Sequence, residues 1–371
     1  MITNLTLKNF KSHRNSELNL SNLNLLTGLN GMGKSSVLQA LLLLRQTHKK
    51  GMLNLGLELK GDLCDIGAAR DALYQSAEDD YISFILEDSV KGKSTFNFYF
   101  DENRQNDTFL QTHSSPTYSS DLSLFSNDFQ YISAFRNGPM KDYERDTSQV
   151  ELFHQISLKE GRSEFSAHYL YFFGKDDISD KNLAFDKKNG YELHQNVQDW
   201  MNAISPGIQI QIQQSESSFK INYRFSRGSG QRPTDSFKAT NIGFGISYVL
   251  PIVISALHAP KGSIVLIENP EAHIHPAGQA KLMELICRSA RSGIQFIIET
   301  HSDHIINGML ISINDRTLTT DQVSLYYFER KEDTHETLAN DLPVLEGGKI
   351  RNPPDGFFDQ IDIDMKTLLG F

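Results

Sequence analysis

Residues 28–35, GLNGMGKS, place Gly28, Gly31 and Gly33 ahead of Lys34 and Ser35. That is the G-x-x-x-x-G-K-S spacing of a phosphate-binding loop. Glycines let the backbone curl so that its N–H groups face phosphate oxygens. A helix opening directly afterwards adds the positive end of its dipole. In such a loop Lys34 reaches the β- and γ-phosphates of a nucleoside triphosphate, and the Ser35 hydroxyl ligates Mg2+. The bland alternative is a chance glycine-rich turn, and a buried strand before the loop with a helix after it argues against that. Residues 264–271, IVLIENPE, read as a hydrophobic strand ending in acids. A carboxylate at such a strand end is where phosphate-loop enzymes hold Mg2+, which makes Glu268 the natural holder. An ordinary solvated strand end is the alternative. Thr300, His301 and Ser302 follow another hydrophobic run at 295–298. A lone histidine there is more often structural. Third in this order of motifs, His301 is expected to hydrogen-bond a γ-phosphate and sense it.

These groups work only if strands and helices bring them together. Ile2, Leu5, Leu7 and Phe10 suggest an opening strand, and LNLLTG at 23–28 a second, buried one. A helix is expected from about Lys34, apolar through Leu44. Arg45, His48, Lys49 and Lys50 lie at its C-terminal end, where cations match the macrodipole. Residues 81–88, 95–101 and 129–135 have strand-like patterns, and the serine-rich stretch 111–123 reads as a loop. A helix over 191–204 stops at Ser205, Pro206 and Gly207. Residues 208–212 and 219–225 read as a hairpin, followed by the loop SRGSGQRP at 226–233. The last third alternates a strand at 263–267, a helix from about Ala277, a strand at 294–298, a helix from about Asp303 and a strand at 323–328. That order implies a mostly parallel sheet with helices on its faces.

Composition narrows the setting. The 371 residues carry a net charge of −10, so no whole-surface basic footprint for nucleic acid exists. Cys64 and Cys287 are the only cysteines, which suits a reducing cytoplasm. The longest apolar runs, 37–44 and 248–257, are far short of the roughly 20 residues a membrane span needs. The opening residues lack the basic and then apolar pattern of a secretory leader. A cytoplasmic protein with no membrane contact is the expectation.

The motif set resembles the ABC-type ATPase heads of RecF, SMC and OLD-like proteins. LTLKNFKSH at 5–13 resembles the start of RecF and SMC heads, where it runs into a GxNGxGKS loop. ENPEAHIHP at 268–276 resembles their Walker B and D-loop segment, and THSDHIING at 300–308 their switch-histidine segment. TNIGFGISYVLPIV at 240–253 stands where they carry the signature. SAFRNGP at 133–139 and GGKIRNPPDGFFDQ at 347–360 resemble segments of small AAA-family ATPases of bacterial defence loci. The resemblance implies an α/β P-loop head that forms a homodimer around two ATP molecules with Mg2+. Gly28, Asn30, Gly31, Met32, Gly33, Lys34, Ser35 and Ser36 would cradle the phosphates. Gly243, Gly245 and Ser247 would touch the partner's ATP in trans, and Lys11 and Ser12 would line the nucleoside side.

Two departures stand out. The familiar Asp-Glu pair is here Glu268 and Asn269, so an amide replaces the acid that would polarise water. Glu271 is the acid that could take that role. A missing general base, typically contributing ~10²–10⁴ in rate, would leave slow hydrolysis suited to a switch. The Q-loop glutamine is not assignable, because Gln46 comes too early. His273, His275, His301 and His304 read better as local packing than as a metal cluster. Arg136 reads at least as well as a structural residue as an interface one. Arg224, Arg227 and Arg232 could touch nucleic-acid phosphates, although a flexible connection is the blander reading. Asp359, Asp362 and Asp364 do not read as a nuclease site. The stretch after His301 is too short for a further nuclease domain, so any destructive activity is expected on another polypeptide.

The expected architecture is an ATPase head from residues 1–50 and 236–371, interrupted by a β-rich and helical lobe at 51–235. The expected function is an ATP-driven switch that controls a separate nuclease or toxin in anti-phage defence. The alternative is a RecF-like repair ATPase that binds DNA across the closed dimer. A transporter ATPase is disfavoured by the GFGIS signature.

Overall fold

The computed structural model describes residues 1–226, 232–354, 357 and 360–369. Two six-stranded sheets enclose the helix that follows the glycine loop. The central sheet runs in the order Thr337–Asp341, Val323–Arg330, Leu23–Gly28, Gln295–Glu299, Ile264–Glu268, Phe129–Ile132. Every neighbouring pair is parallel except the first, where Thr337–Asp341 runs antiparallel to Val323–Arg330. Such strands are covered on both faces and therefore read as continuous apolar runs. The residues divide by face as the two-residue repeat requires. Leu23, Leu25, Val265, Ile267, Phe296 and Ile298 join one core, while Leu26, Ile264, Leu266 and Ile297 join the other.

The second core lies between the sheets. Its centre is the loop helix, Lys34–Lys49, whose Leu38, Leu41, Leu42, Leu43 and Leu44 are all buried. A helix apolar nearly all round must be covered on every side. The covering sheet is antiparallel, in the order His13–Asn19, Ile2–Phe10, Tyr81–Asp88, Gly92–Tyr99, Phe109–Gln111, Gly56–Glu58. On the other face of the central sheet pack Leu193–Ile204, Phe244–His258, Pro276–Arg291 and Asp303–Asn314. The expected hairpin is present as Ile208–Gln214 and Ser218–Phe225, in a small sheet with Phe237–Lys238 and Tyr143–Glu144.

Residues within the expected insert at 51–235 pair with strands on either side of it. Tyr81–Asp88 pairs with Ile2–Phe10, so residues of the supposed insert complete the N-terminal sheet. Phe129–Ile132 pairs in parallel with Ile264–Glu268 and forms an edge of the central sheet. An isolated two-stranded N-terminal hairpin would leave the loop helix half uncovered, and strands from residues 56–111 supply the missing cover. Part of the basic loop, residues 227–231 with Arg227, lies outside the described residues, as does Asp359 in the tail. Asp362 belongs to the terminal helix Gln360–Leu369.

Candidate nucleotide site

The glycine loop leaves the C-terminal end of Leu23–Gly28 and turns into the helix at Lys34. Gly28, Gly31 and Gly33 have φ of 133°, 76° and 98°, a region that side chains rarely enter. Gly28 has a second reason, because a Cβ there would run into the Phe328 carbonyl of the adjacent strand. The loop is braced from outside. Thr337 Oγ1 donates to Met32 O (3.0 Å), and Arg330 donates to Gly31 O. His13 Nε2 lies 3.0 Å from Gly33 O, and burial pushes that imidazole down to about 4, which keeps it neutral. Lys34 Nζ donates to Gly28 O (2.9 Å) and Leu29 O (2.7 Å), lying back across its own loop.

A cleft of about 680 Å3 opens over this loop. Asn30, Gly31, Gly33, Lys34, Ser35 and Ser36 all line it, and so do Lys11 and Ser12 from the N-terminal turn. Met32 turns its side chain towards the core between the sheets. The far rim comes from Tyr74 and from the turn holding Thr334 and His335, joined by a Tyr74 hydroxyl to Thr334 carbonyl bond of 3.1 Å. Gln46 is not at the cleft. It is buried, accepts from Leu63 N and Cys64 N and donates to Glu58 O and Cys64 O, so it pins a loop.

Glu268 and Glu299 end neighbouring parallel strands, and Glu271 lies in the turn that follows Glu268. Glu268 and Glu299 are register partners on adjacent parallel strands. Glu268 Oε1 accepts from the Tyr131 hydroxyl and Oε2 from Ala134 N, each at 3.0 Å. Glu299 Oε1 accepts from Ser35 Oγ at 3.0 Å, while Oε2 is buried without a partner. Burial pushes the Glu299 carboxyl up to about 7; the Ser35 bond opposes that rise, and Glu268 adds to it. Glu271 Oε2 accepts from Thr300 Oγ1 (2.8 Å) and Oε1 from His301 N (2.9 Å), which ties the segment after Glu268 to the segment after Glu299. The His301 imidazole lies near Lys34 and the Gly28 carbonyl, and partial burial, followed by the Lys34 charge, lowers its pKa. Asn269 has φ 46°, a left-handed conformation that Asn accepts better than most residues.

The segment in the signature position forms the start of the helix Phe244–His258. Gly243 and Phe244 are exposed. A Cβ on Gly245 would collide with the His273 carbonyl, so this glycine already has a role within its own protomer. Ser247 is buried beside Tyr143 and Tyr223, one turn behind the exposed helix start. His273 packs its ring against Phe244 and Tyr248, and His275 caps the next helix by accepting from Ala277 N. Among the described residues no three His, Cys, Asp or Glu side chains form a metal cluster.

Sequence reasoning missed Glu299 and left Arg136 open. Glu299 ends a buried strand, as Glu268 does, so the rule that found Glu268 applies to it equally. Arg136 is 1% exposed and holds the site together from below. It donates to the carbonyls of Tyr248 (2.9 Å), Ser133 (2.9 Å), Glu268 (2.8 Å) and Asn269 (2.8 Å). It therefore links the helix Phe244–His258 to the acidic strand end.

Strand order, loop and acids together define an α/β fold of the P-loop NTPase type. Solved structures agree on the fold. An SMC head bound to the C-terminal winged-helix domain of ScpA matches with a TM-score of 0.56 at 14% identity, over 92% of this chain and 98% of that one. An SMC head with an extended coiled coil bound to the C-terminal domain of ScpA, derived from Pyrococcus furiosus, matches with a TM-score of 0.53 at 13% identity, over 100% and 98%. No curated protein matches. Residues 23–307 match the AAA domain family described as putative AbiEii toxin, Type IV TA system, and the chain belongs to that family. Residues 318–368 match a second family, described as protein of unknown function (DUF3696). No helix among the described residues is long and apolar enough to cross a membrane.

Proposed function

We propose that this chain is an ATP-driven switch: ATP with Mg2+ closes a homodimer of heads, slow hydrolysis opens it, and the two states control a separate effector, a nuclease or toxin, in antiviral defence in the cytoplasm. The observation that carries the nucleotide part is the convergence of Lys34, Ser35 and the Glu268 and Glu299 carboxylates at the C-terminal ends of parallel strands. The glycine cradle and the unpartnered Glu299 oxygen fit a polyphosphate and its cation. The family description supports the defence setting, and the SMC heads of the same fold, solved with ScpA domains bound, support a partner protein.

Each residue has a task in this reading. Lys34 turns from its loop carbonyls to the β- and γ-phosphates, and the loop amides from Asn30 to Ser36 hold their oxygens. Ser35 and the strand-end acids would hold Mg2+, which would neutralise phosphate charge. The trans contact falls to the exposed helix start at Gly243 and Gly245, with Ser247 behind it. Asn269 cannot accept a proton from water. Glu271, the nearby acid, holds Thr300 and His301, so the group that orders the switch segment also stands nearest to general-base duty.

The test is ATP turnover of the wild type, Lys34→Ala, Asn269→Ala and Glu271→Gln, with dimer formation followed by light scattering. The expected result is slow wild-type turnover with ATP-dependent dimers, both lost in Lys34→Ala. Fast turnover that survives Asn269→Ala and disappears in Glu271→Gln would make Glu271 a full general base and remove the slow-switch premise. Glu271→Gln protein captured from its host in ATP should bring a stoichiometric nuclease or toxin. Recovery of DNA with no protein would move the assignment to a repair ATPase.

A further inference from the structure

We propose that Glu299, on the strand beside the glycine loop, is the carboxylate that holds Mg2+ together with Ser35, while Glu268 acts one strand away as a positioning group. The inference rests on the nucleotide-binding reading above and assigns its metal. Strand order is the first reason. Gln295–Glu299 lies directly against Leu23–Gly28, whereas Ile264–Glu268 lies one strand farther out. Glu299 pairs in register with Leu26 on one side and Glu268 on the other, which sets its side chain at the root of the loop.

The hydrogen bonds divide the two acids in the same way. The Ser35 hydroxyl, the expected metal ligand, already meets Glu299 Oε1 at 3.0 Å. Glu268 turns instead towards the edge strand, where the Tyr131 hydroxyl and Ala134 N occupy both of its oxygens. Glu299 lines the cleft, is only 6% exposed, and has no partner for Oε2. A buried carboxylate oxygen without a donor is costly, and a cation is what such an oxygen fits. Mg2+ takes one or two carboxylates from the protein and fills the remaining octahedral positions with phosphate oxygens and water. One hydroxyl and one carboxylate on neighbouring elements form such a donor set. No cage of three acids is needed, and none is found among the described residues.

Mn2+ is the probe, because its paramagnetic resonance reports bound metal directly without turnover. Wild type, Glu299→Gln and Glu268→Gln would be titrated with Mn2+ in the presence of a non-hydrolysable ATP analogue. Binding of the analogue in EDTA would be measured separately by calorimetry. Glu299→Gln should weaken Mn2+ by roughly 10–100-fold, at least as much as the loss of a supporting group does. Its metal-free nucleotide affinity should stay unchanged, and Glu268→Gln should lose less Mn2+ affinity than Glu299→Gln. Wild-type Mn2+ affinity in Glu299→Gln, or a larger loss in Glu268→Gln, overturns the assignment. Glu299→Asp, which keeps the charge on a shorter arm, decides the matter should the glutamine variant not fold: weakened Mn2+ with an altered spectrum supports the proposal, and an unchanged one overturns it. Failure of the wild type to bind nucleotide in EDTA or with metal would instead bring down the ATPase reading, and this inference with it.

Discussion

Arg136→Met should destabilise the fold and loosen the coupling between the helix Phe244–His258 and the acidic strand end. The guanidinium is buried and donates to four carbonyls, with its carbon 4.8 Å from the Tyr248 ring centroid. Burial pushes its pKa down only to about 10, so it stays charged at neutral pH. A hydrogen bond from a charged donor contributes about 1.5–3 kcal/mol, and the cost of dehydrating the ion offsets part of the sum. A net loss of about 3–5 kcal/mol is the expected outcome, typical of breaking a buried charged network. Arg45 is the internal comparison. It is equally buried but donates only to Leu124 O and Ser126 O, stacks on Phe129 at 4.1 Å, and has Nε and Nη2 unpartnered. Arg45→Met should cost about 0–2 kcal/mol, because an apolar side chain of similar size also spares the ion's dehydration. Urea unfolding of both variants, with equal m-values, gives the two numbers. An Arg136→Met loss no larger than that of Arg45→Met would refute the idea that the four-carbonyl network, rather than burial itself, carries the stability.

Two further outcomes follow from the site. The Glu299 carboxyl is raised from an ordinary 4.5 to about 7 by burial, so the folded chain binds more protons than the unfolded one between those values. Its contribution is therefore complete at low pH and is lost as pH rises through 7, by roughly 3 kcal/mol at most. Thermal melts of nucleotide-free protein at pH 5 and pH 8 should show this fall, and Glu299→Gln should flatten it; an unchanged slope in the variant would assign the fall to other groups. Gly245→Ala should cost about 1–3 kcal/mol through overlap with the His273 carbonyl. Gly243→Ala meets open space and should cost under about 1 kcal/mol, as a weakened helix cap does. ATP-dependent dimerisation lost in stable Gly243→Ala protein would support the trans contact, and its full retention would count against it.

Much of the central scaffold was legible in the chain. Local patterns fixed the apolar strands, the helix after Gly33 and the order of the three motifs, because buried parallel strands and glycine loops have short-range signatures. The helix predicted from Lys34 is present as Lys34–Lys49, and the hairpin, late helices and late strands lie where expected. What the sequence could not decide was which strands become neighbours. Phe129–Ile132 looks like any other apolar segment, and only its pairing makes it an edge of the central sheet. The same pairing sets Glu299 between the loop strand and Glu268, turning an unremarked strand end into the acid nearest Ser35. It also brings Arg136 beneath Glu268, 132 residues away in sequence. Motif spacing is local chemistry and is written in the residues themselves. The direction a carboxylate faces, and whether Ser247 meets solvent or two tyrosines, depends on packing between distant segments, which no local pattern records.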